Sequence, residues 1–324
     1  MDLILGNAIS WLFQPITAAY ALAAIGIALH FGFTGLLNFG QAVFMAVGAY
    51  GFSISVKFFG LGFWPAVGVA VIASIAMAFL LGIPTLRLRS DYLAIVTIAA
   101  AEVFRFIVST TSAQPVTGGP QGLNQYSEGF YAMNPIPVGH YKFWVWDFKQ
   151  DDLFAIAVSW LVVTFFAVLL AILIRSPWGR VIKGIREDED AVRSLGKNVY
   201  SYKMQSLVVG GLMGTFAGIL FVLPTSVQPG NYGTTLTFYI WTILLLGGAS
   251  TVIGSIVGAM IFWSLLSLTG DLLSTGVDNG TITFLTQNQV GAIRFMLVGV
   301  ALMLLVIFRP QGIFGNKKEL YFNA

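Results

Sequence analysis

Residues Arg175–Lys203, RSPWGRVIKGIREDEDAVRSLGKNVYSYK, carry 11 of the 31 charged residues in a chain of 324. Apolar sequence long enough to cross a bilayer lies on both sides of them. Ser176-Pro177 is a helix start, because Ser caps free backbone N–H groups and Pro at the first position lacks one. Val181, Ile185, Val192 and Leu195 recur at helical spacing, and Gly196 supplies a stop. Lys183/Glu187, Arg186/Asp190 and Glu189/Arg193 place opposite charges four residues apart, each pair adding a few tenths of a kcal/mol to an exposed helix. The pattern predicts a charged amphipathic helix between membrane spans, suited to docking a soluble partner. An ordinary solvated loop is the alternative reading of the same residues.

The surrounding composition sets the class. Hydrophobic residues make up 57% of the chain and charged residues 10%, and the mean hydropathy is +0.82, whereas a soluble domain carries about 25% charged residues. This is the composition of an all-α integral membrane protein, and its 36 glycines suit helices that approach closely. A net charge of +3 gives no indication of nucleic acid as a partner. With no cysteine and only His30 and His140, neither disulfides nor a thiolate or histidine metal site is expected. No cleavable signal peptide is expected, since a basic n-region is missing and the first apolar run is too long for an h-region.

About 20 apolar residues cross the hydrocarbon core. Candidate spans fall at 8–29, 33–56, 62–84, 92–109, 153–174, 204–224, 236–249, 252–269 and 290–308, about nine (8–10) in a single transmembrane domain over 1–324. Residues 236–269 are read as two short helices joined at Gly247–Thr251. Lys and Arg set the orientation. Arg87, Arg89, Arg175, Arg180, Lys183, Arg186, Arg193, Lys197, Lys203, Arg309, Lys317 and Lys318 fall on one side, and Lys57, Lys142 and Lys149 on the other. The first set is placed in the cytoplasm, with the N-terminus out and the C-terminus in. The stretch 175–203 is then a cytoplasmic loop, and 110–152 an ordered extracytoplasmic loop with short helices.

No enzyme constellation is present. The chain lacks G-x-x-x-x-G-K-[ST], G-x-S-x-G and H-E-x-x-H, so no catalytic residue or cofactor is expected, and any ATP must be bound by another polypeptide. Polar residues within spans are costly and often functional. Glu102 and Arg105 share one face of a span, either as a structural ion pair or as a contact for a charged or zwitterionic solute. Asn38 and Gln41, among Gly35, Gly40 and Gly48, either line a pathway at a polar kink or hydrogen-bond between helices. Thr117–Gly122 reads as an anion-binding nest or, alternatively, as turn chemistry. Arg309-Pro310 closes the last span.

Five segments in order resemble the LivM-type permease subunits of ATP-binding-cassette importers for branched-chain amino acids. They are Gly32–Tyr50 (GFTGLLNFGQAVFMAVGAY), Leu86–Arg105 (LRLRSDYLAIVTIAAAEVFR), Thr117–Leu123 (TGGPQGL), Trp178–Tyr202 (WGRVIKGIREDEDAVRSLGKNVYSY) and Phe308–Gly315 (FRPQGIFG). The resemblance implies a coupling helix at 180–196 that sits in a groove of the ATPase subunit. The family's E-A-A followed by three residues and Gly is matched loosely by Asp190-Ala191-Val192 and Gly196, and its downstream I-x-L-P is absent. ATPase coupling is accordingly assigned to Arg180, Lys183, Arg186, Glu187, Asp190, Ala191, Val192 and Gly196, and pathway lining to Asn38, Gln41, Glu102 and Arg105. Gln41 departs from the His that the family pattern leads one to expect, so no role specific to that side chain carries over. The implied partners are a second permease subunit, two ATP-binding subunits, an extracytoplasmic solute-binding protein, membrane lipid and an amino acid substrate (Leu, Ile or Val), in a prokaryotic cell membrane. The rival readings are a permease for urea, short amides or another amino acid, and a stand-alone secondary transporter, which would need a midplane acid pair but not the 175–203 helix.

Overall fold

The computed structural model describes residues 2–315 apart from 88–89, 144–145, 281, 283–284 and 310. Arg89, Lys317 and Lys318 of the basic set, and Pro310 of the predicted helix stop, lie outside the described residues.

Nine apolar helices, counted among the described residues, run from 13 to 27 residues and overlap the nine expected spans. After a short helix α1 (Asp2–Ser10) come α2 (Pro15–Ile27), extended by a π-helical turn (Ala28–Phe33), then α3 (Gln41–Lys57), α4 (Phe63–Thr85) and α5 (Ser90–Ser109). Two single-turn helices, α6 (Gln114–Thr117) and α7 (Glu128–Tyr131), and a hairpin of β1 (His140–Phe143) and β2 (Trp146–Lys149) fold the outer segment. The chain continues through α8 (Gln150–Arg175), α9 (Pro177–Glu187), α10 (Glu189–Ser194), α11 (Val199–Val222), α12 (Thr234–Gly247), α13 (Val252–Asp278) and α14 (Gln287–Phe308). Among the described residues, six of the helices are long and apolar enough to cross a membrane.

Three boundaries differ from the sequence reading. The first apolar run is two helices, because Pro15 cannot extend α1 and instead starts α2 at its first position. Expected span 33–56 begins only at Gln41, because Gly35–Gly40 is not helical. Residues 236–269 do form a hairpin about a turn at Gly248–Thr251, but its second helix runs on to Asp278, well beyond 269.

The central layer is α2, α3 and α11, flanked by α4, α12 and α13. Of the α2 span, 89% is buried in the chain, so its side chains meet protein and not lipid. Glycine sets the spacing: a Cβ on Gly48 would lie 2.3 Å from the Thr215 carbonyl oxygen, and one on Gly218 2.0 Å from that of Met45. Lipid offers no hydrophobic gain for such packing, so close backbone approach supplies the contact instead. The outer faces of α4, α5, α8 and α14 display Ile72, Leu80, Ile95, Leu161, Ile172 and Ile307.

The helices alternate in direction, which separates two ends. At one end Arg87 lies over the Tyr200 ring, 5.6 Å from its centroid. At the other, Lys57 Nζ donates to the Asn124 carbonyl (3.1 Å), and Trp146 Nε1 donates to the Gly6 carbonyl (2.7 Å). Thr117–Gly122 works as turn chemistry here. Thr117 Oγ1 donates to the Val108 carbonyl (2.7 Å) and accepts from Gly119 N (3.2 Å), and Leu123 and Val227 form an antiparallel bridge beside them.

Candidate functional site

The charged stretch folds as a helix–break–helix. Ser176 Oγ accepts from Gly179 N (3.4 Å), and Pro177 starts α9, as its sequence demands. The single helix expected over 180–196 is interrupted at Asp188, whose extended backbone ends α9. Asp188 Oδ1 then accepts from Ala191 N (3.0 Å), capping α10. Gly196, at φ +75°, closes α10. Its N–H bonds the Arg193 carbonyl, and the N–H of Lys197 bonds that of Val192, the paired pattern of a left-handed glycine cap. Ile185, Val192 and Val199 form a small core beneath the two helices, with Val181 and Tyr202 against it. Ile182 is wholly buried.

The break redirects the expected charge pairs. Glu189–Arg193 forms as anticipated (2.8 Å), and Arg193 also reaches Asp190 (3.2 Å) while Lys203 reaches Glu189. Lys183 does not pair with Glu187 but lies over the Phe33 ring, 5.7 Å from its centroid. Arg186 reaches the bundle: its Nη1 donates to the carbonyl of Gly32. Trp178 Nε1 adds a bond to Gln205 Oε1 on α11 (2.8 Å). Arg180, Lys183, Glu187, Asp190, Ala191 and Gly196 remain exposed on the outer surface of this unit, whereas Val192 packs inward. Leu195 is 78% exposed among them. A polar cleft of about 780 Å³ lies alongside, between Arg87 and the Glu189–Lys203 segment.

Arg186 contacts the non-helical centre of the bundle. Buried irregular backbone is tolerated at membrane depth where its polar groups find partners inside the protein, and several do here. Leu36 N bonds the His30 carbonyl (2.8 Å), Phe39 N bonds Thr97 Oγ1 (3.0 Å), and Gly40 N bonds Asn38 Oδ1 (2.7 Å). Asn38 Nδ2 lies 3.0 Å from His30 Nδ1. An amide nitrogen can only donate, so Nδ1 accepts and the imidazole proton sits on Nε2, facing the Leu207 carbonyl at 3.3 Å. Gln41 Nε2 bonds the Gly210 carbonyl (3.0 Å). Asn38 and Gln41 are both wholly buried within the chain.

Gly32 is the joint. Its carbonyl receives Arg186, and a Cβ at this position would lie 1.9 Å from the Ala249 carbonyl oxygen in the α12–α13 turn. That turn is closed by the chain's last described residues: Ile313 N bonds the Leu246 carbonyl (3.0 Å), and Phe314 N bonds that of Gly247 (2.9 Å). These two bonds satisfy carbonyls that the end of α12 leaves free. The FRPQGIFG segment therefore does more than end a span. The sequence reading missed Gly32, Trp178 and this closure; the run Gly32, Gly35, Asn38, Gly40 was the available signal of a broken helix.

Glu102 and Arg105 lie toward the opposite end. Arg105 Nε and Nη2 both reach Glu102 Oε2 (2.7 Å each). Glu102 Oε1 accepts from Thr234 N (3.0 Å), so this carboxylate also caps the start of α12. Both side chains are about a quarter exposed, at 24% and 27%. The structure thus brings Asn38 and Gln41 together with the Arg186 joint and leaves Glu102 and Arg105 apart from it.

Apolar helices packed by glycine around a polar, non-helical centre, with a charged two-helix unit docked on one end of it, make this a multi-pass membrane protein of the permease type. A family model described as branched-chain amino acid transport system / permease component matches residues 10–308, and the chain belongs to that family. The high-affinity branched-chain amino acid transport system permease protein LivM of Salmonella typhimurium is 30% identical over 308 residues, covering 92% of this chain and 68% of that protein. The Escherichia coli K12 protein of the same name is 29% identical with the same coverage. The probable LivM permease of Methanocaldococcus jannaschii is 25% identical, covering 92% of this chain and 91% of its own.

Proposed function

We propose that this chain is the membrane subunit of an ATP-binding-cassette importer that moves leucine, isoleucine or valine into the cytoplasm of a prokaryotic cell, is itself non-catalytic, and is driven by separate ATPase subunits. The observation that carries the reading is the bond from Arg186 to Gly32, which ties the exposed charged unit to the centre of the bundle. The positive-inside rule places that unit in the cytoplasm, where its exposed face from Arg180 to Gly196 meets the ATPase. Both of its helices are capped and share one small core, so it moves as one body. When ATP draws the ATPases together, displacement of α9 passes through Arg186 to the π-helical turn and through Gly32 to the α12–α13 turn. A packed, bistable centre converts such a small shift into a change of access.

Asn38 and Gln41 serve by holding the break in its non-helical form. Glu102 and Arg105 form a partly exposed charged wall toward the outer end, beside which a zwitterionic solute passes. A solute-binding protein outside supplies the selectivity, and a second permease subunit completes the path. Uptake of labelled leucine and urea in a strain lacking this chain tests the substrate. Loss of leucine uptake, restored by the chain only together with its ATPase subunits, is expected. A defect confined to urea would reject the substrate, and restoration without any ATPase would reject the mechanism.

A further inference from the structure

Arg294 stands inside α14, seven residues from its start, about 10 Å along the axis. A charged residue at such depth normally pairs within the protein or faces a cavity. Among the described residues Arg294 has neither an ion pair nor a hydrogen bond, and its Nε is buried without an acceptor. It rests over the ring of Phe295 (5.0 Å to the centroid) and on Gly270 of α13, where an added Cβ would lie 2.9 Å from Arg294 Cδ. Asp271, the residue after Gly270, accepts from Asn7 (2.6 Å) and makes no ion pair with Arg294.

One to two turns further along α14 lies a cleft of about 130 Å³, lined by Leu246, Phe262, Leu265, Leu297, Val298 and Ala301, with Thr269, the residue before Gly270, at its edge. Leu297, Val298 and Ala301 follow Arg294 at three, four and seven residues, so they share its face of α14. The Thr269 hydroxyl is already bonded to the Leu265 carbonyl (2.8 Å). The cleft therefore offers nothing to an amino acid's ammonium group. What it suits is a hydrocarbon chain below an anionic head. Met296, Met303 and Ile307 of α14 are exposed, as expected of a helix facing lipid.

We infer that the α13–α14 face binds an anionic phospholipid, with its phosphate on Arg294 and one acyl chain in the cleft. An arginine side chain reaches outward from this depth to the headgroup level, and attraction of an anionic lipid to one such cation is worth about a fivefold preference. The site is independent of which solute the protein carries.

Native mass spectrometry of the assembled complex, titrated with phosphatidylglycerol or with phosphatidylcholine of the same chains, tests it. Phosphatidylglycerol should bind about fivefold less well to Arg294→Gln, and close to normally to Arg294→Lys. Ala301→Phe, which fills the cleft and keeps the charge, should also lose the lipid, and excess inorganic phosphate should fail to displace it. Equal retention of phosphatidylglycerol by wild type, Arg294→Gln and Ala301→Phe would overturn the inference. Complete displacement by inorganic phosphate would show an anion site without a lipid. Loss of the second permease subunit from Arg294→Gln with lipid binding unchanged would show that a carboxylate of that subunit is the true partner.

Discussion

The Nη1 of Arg186 donates to the main-chain carbonyl of Gly32, 154 residues away in sequence, and so joins a surface helix to the π-helical turn that leads into the buried non-helical backbone of 35–40. A side chain bonded to another side chain can swing. One bonded to a buried carbonyl has a fixed target, so motion of α9 is felt at that carbonyl. This is the geometry expected of a transmission joint, and it sets the first test.

Replacing Arg186 by Gln keeps polarity and removes the charge and the reach. A hydrogen bond from a charged donor is worth about 1.5–3 kcal/mol, so leucine transport by Arg186→Gln should fall by about tenfold or more. ATPase subunits should still co-purify, because the exposed face is unchanged. Unaltered transport would separate this contact from coupling.

Gly196 sits at φ +75° with open space where a Cβ would be. Conformation, not crowding, makes glycine necessary: a left-handed residue costs an alanine about 1–2 kcal/mol, and proline cannot adopt that φ at all. Gly196→Ala should therefore weaken capture of the ATPase moderately, and Gly196→Pro should abolish it while the chain still inserts and folds. Co-purification from membranes reads both.

Gly32 makes the opposite case, where crowding decides. Its missing side chain leaves room for the Ala249 carbonyl, so Gly32→Ala forces the π-helical turn and the α12–α13 turn apart. The thermal midpoint of the purified protein should drop clearly. Gly68→Ala, at a helical position with nothing within 4 Å, should leave it unchanged. Equal midpoints would mean that the two turns are not packed as described.

Glu102 holds Arg105 and the first N–H of α12 at once. Glu102→Ala should destabilise by about 1–2 kcal/mol, the range of a lost helix cap. Glu102→Gln, which can still accept from Thr234, should cost less. If the pair also meets the solute, Glu102→Gln will raise KM for leucine as well; an unchanged KM confines it to structure. Uptake kinetics beside thermal melts separate the two.

The sequence told more about spans than about breaks. Hydropathy located every long helix, because lipid or protein surrounds each with apolar atoms. It passed over Gly35–Gly40, since Leu36, Leu37 and Phe39 are as apolar as a helix would be and only the Gly and Asn spacing differs. It also joined α9 to α10, because apolar residues keep step on both sides of Asp188. The Asp188-Glu189-Asp190 run was a legible cap signal, since an Asp before a short acidic first turn favours a new helix start. The Glu102–Arg105 pair was legible because both partners lie on one turn. The link from Arg186 to Gly32 was not, for a tertiary contact has no local signature. Arg294 was absorbed into a span by averaging.

The central claim is that α9–α10 is the cytoplasmic surface on which an ATPase sits, and Leu195, 78% exposed at its tip, reports on it. The chain has no cysteine, so Leu195→Cys provides one unique thiol. Its labelling by a maleimide should be measured in inside-out membranes, with and without the ATPase subunits. The account predicts ready labelling of the chain alone and protection of about tenfold or more when the ATPases are present. Equal labelling in both preparations, or labelling only from the outer side, would contradict it.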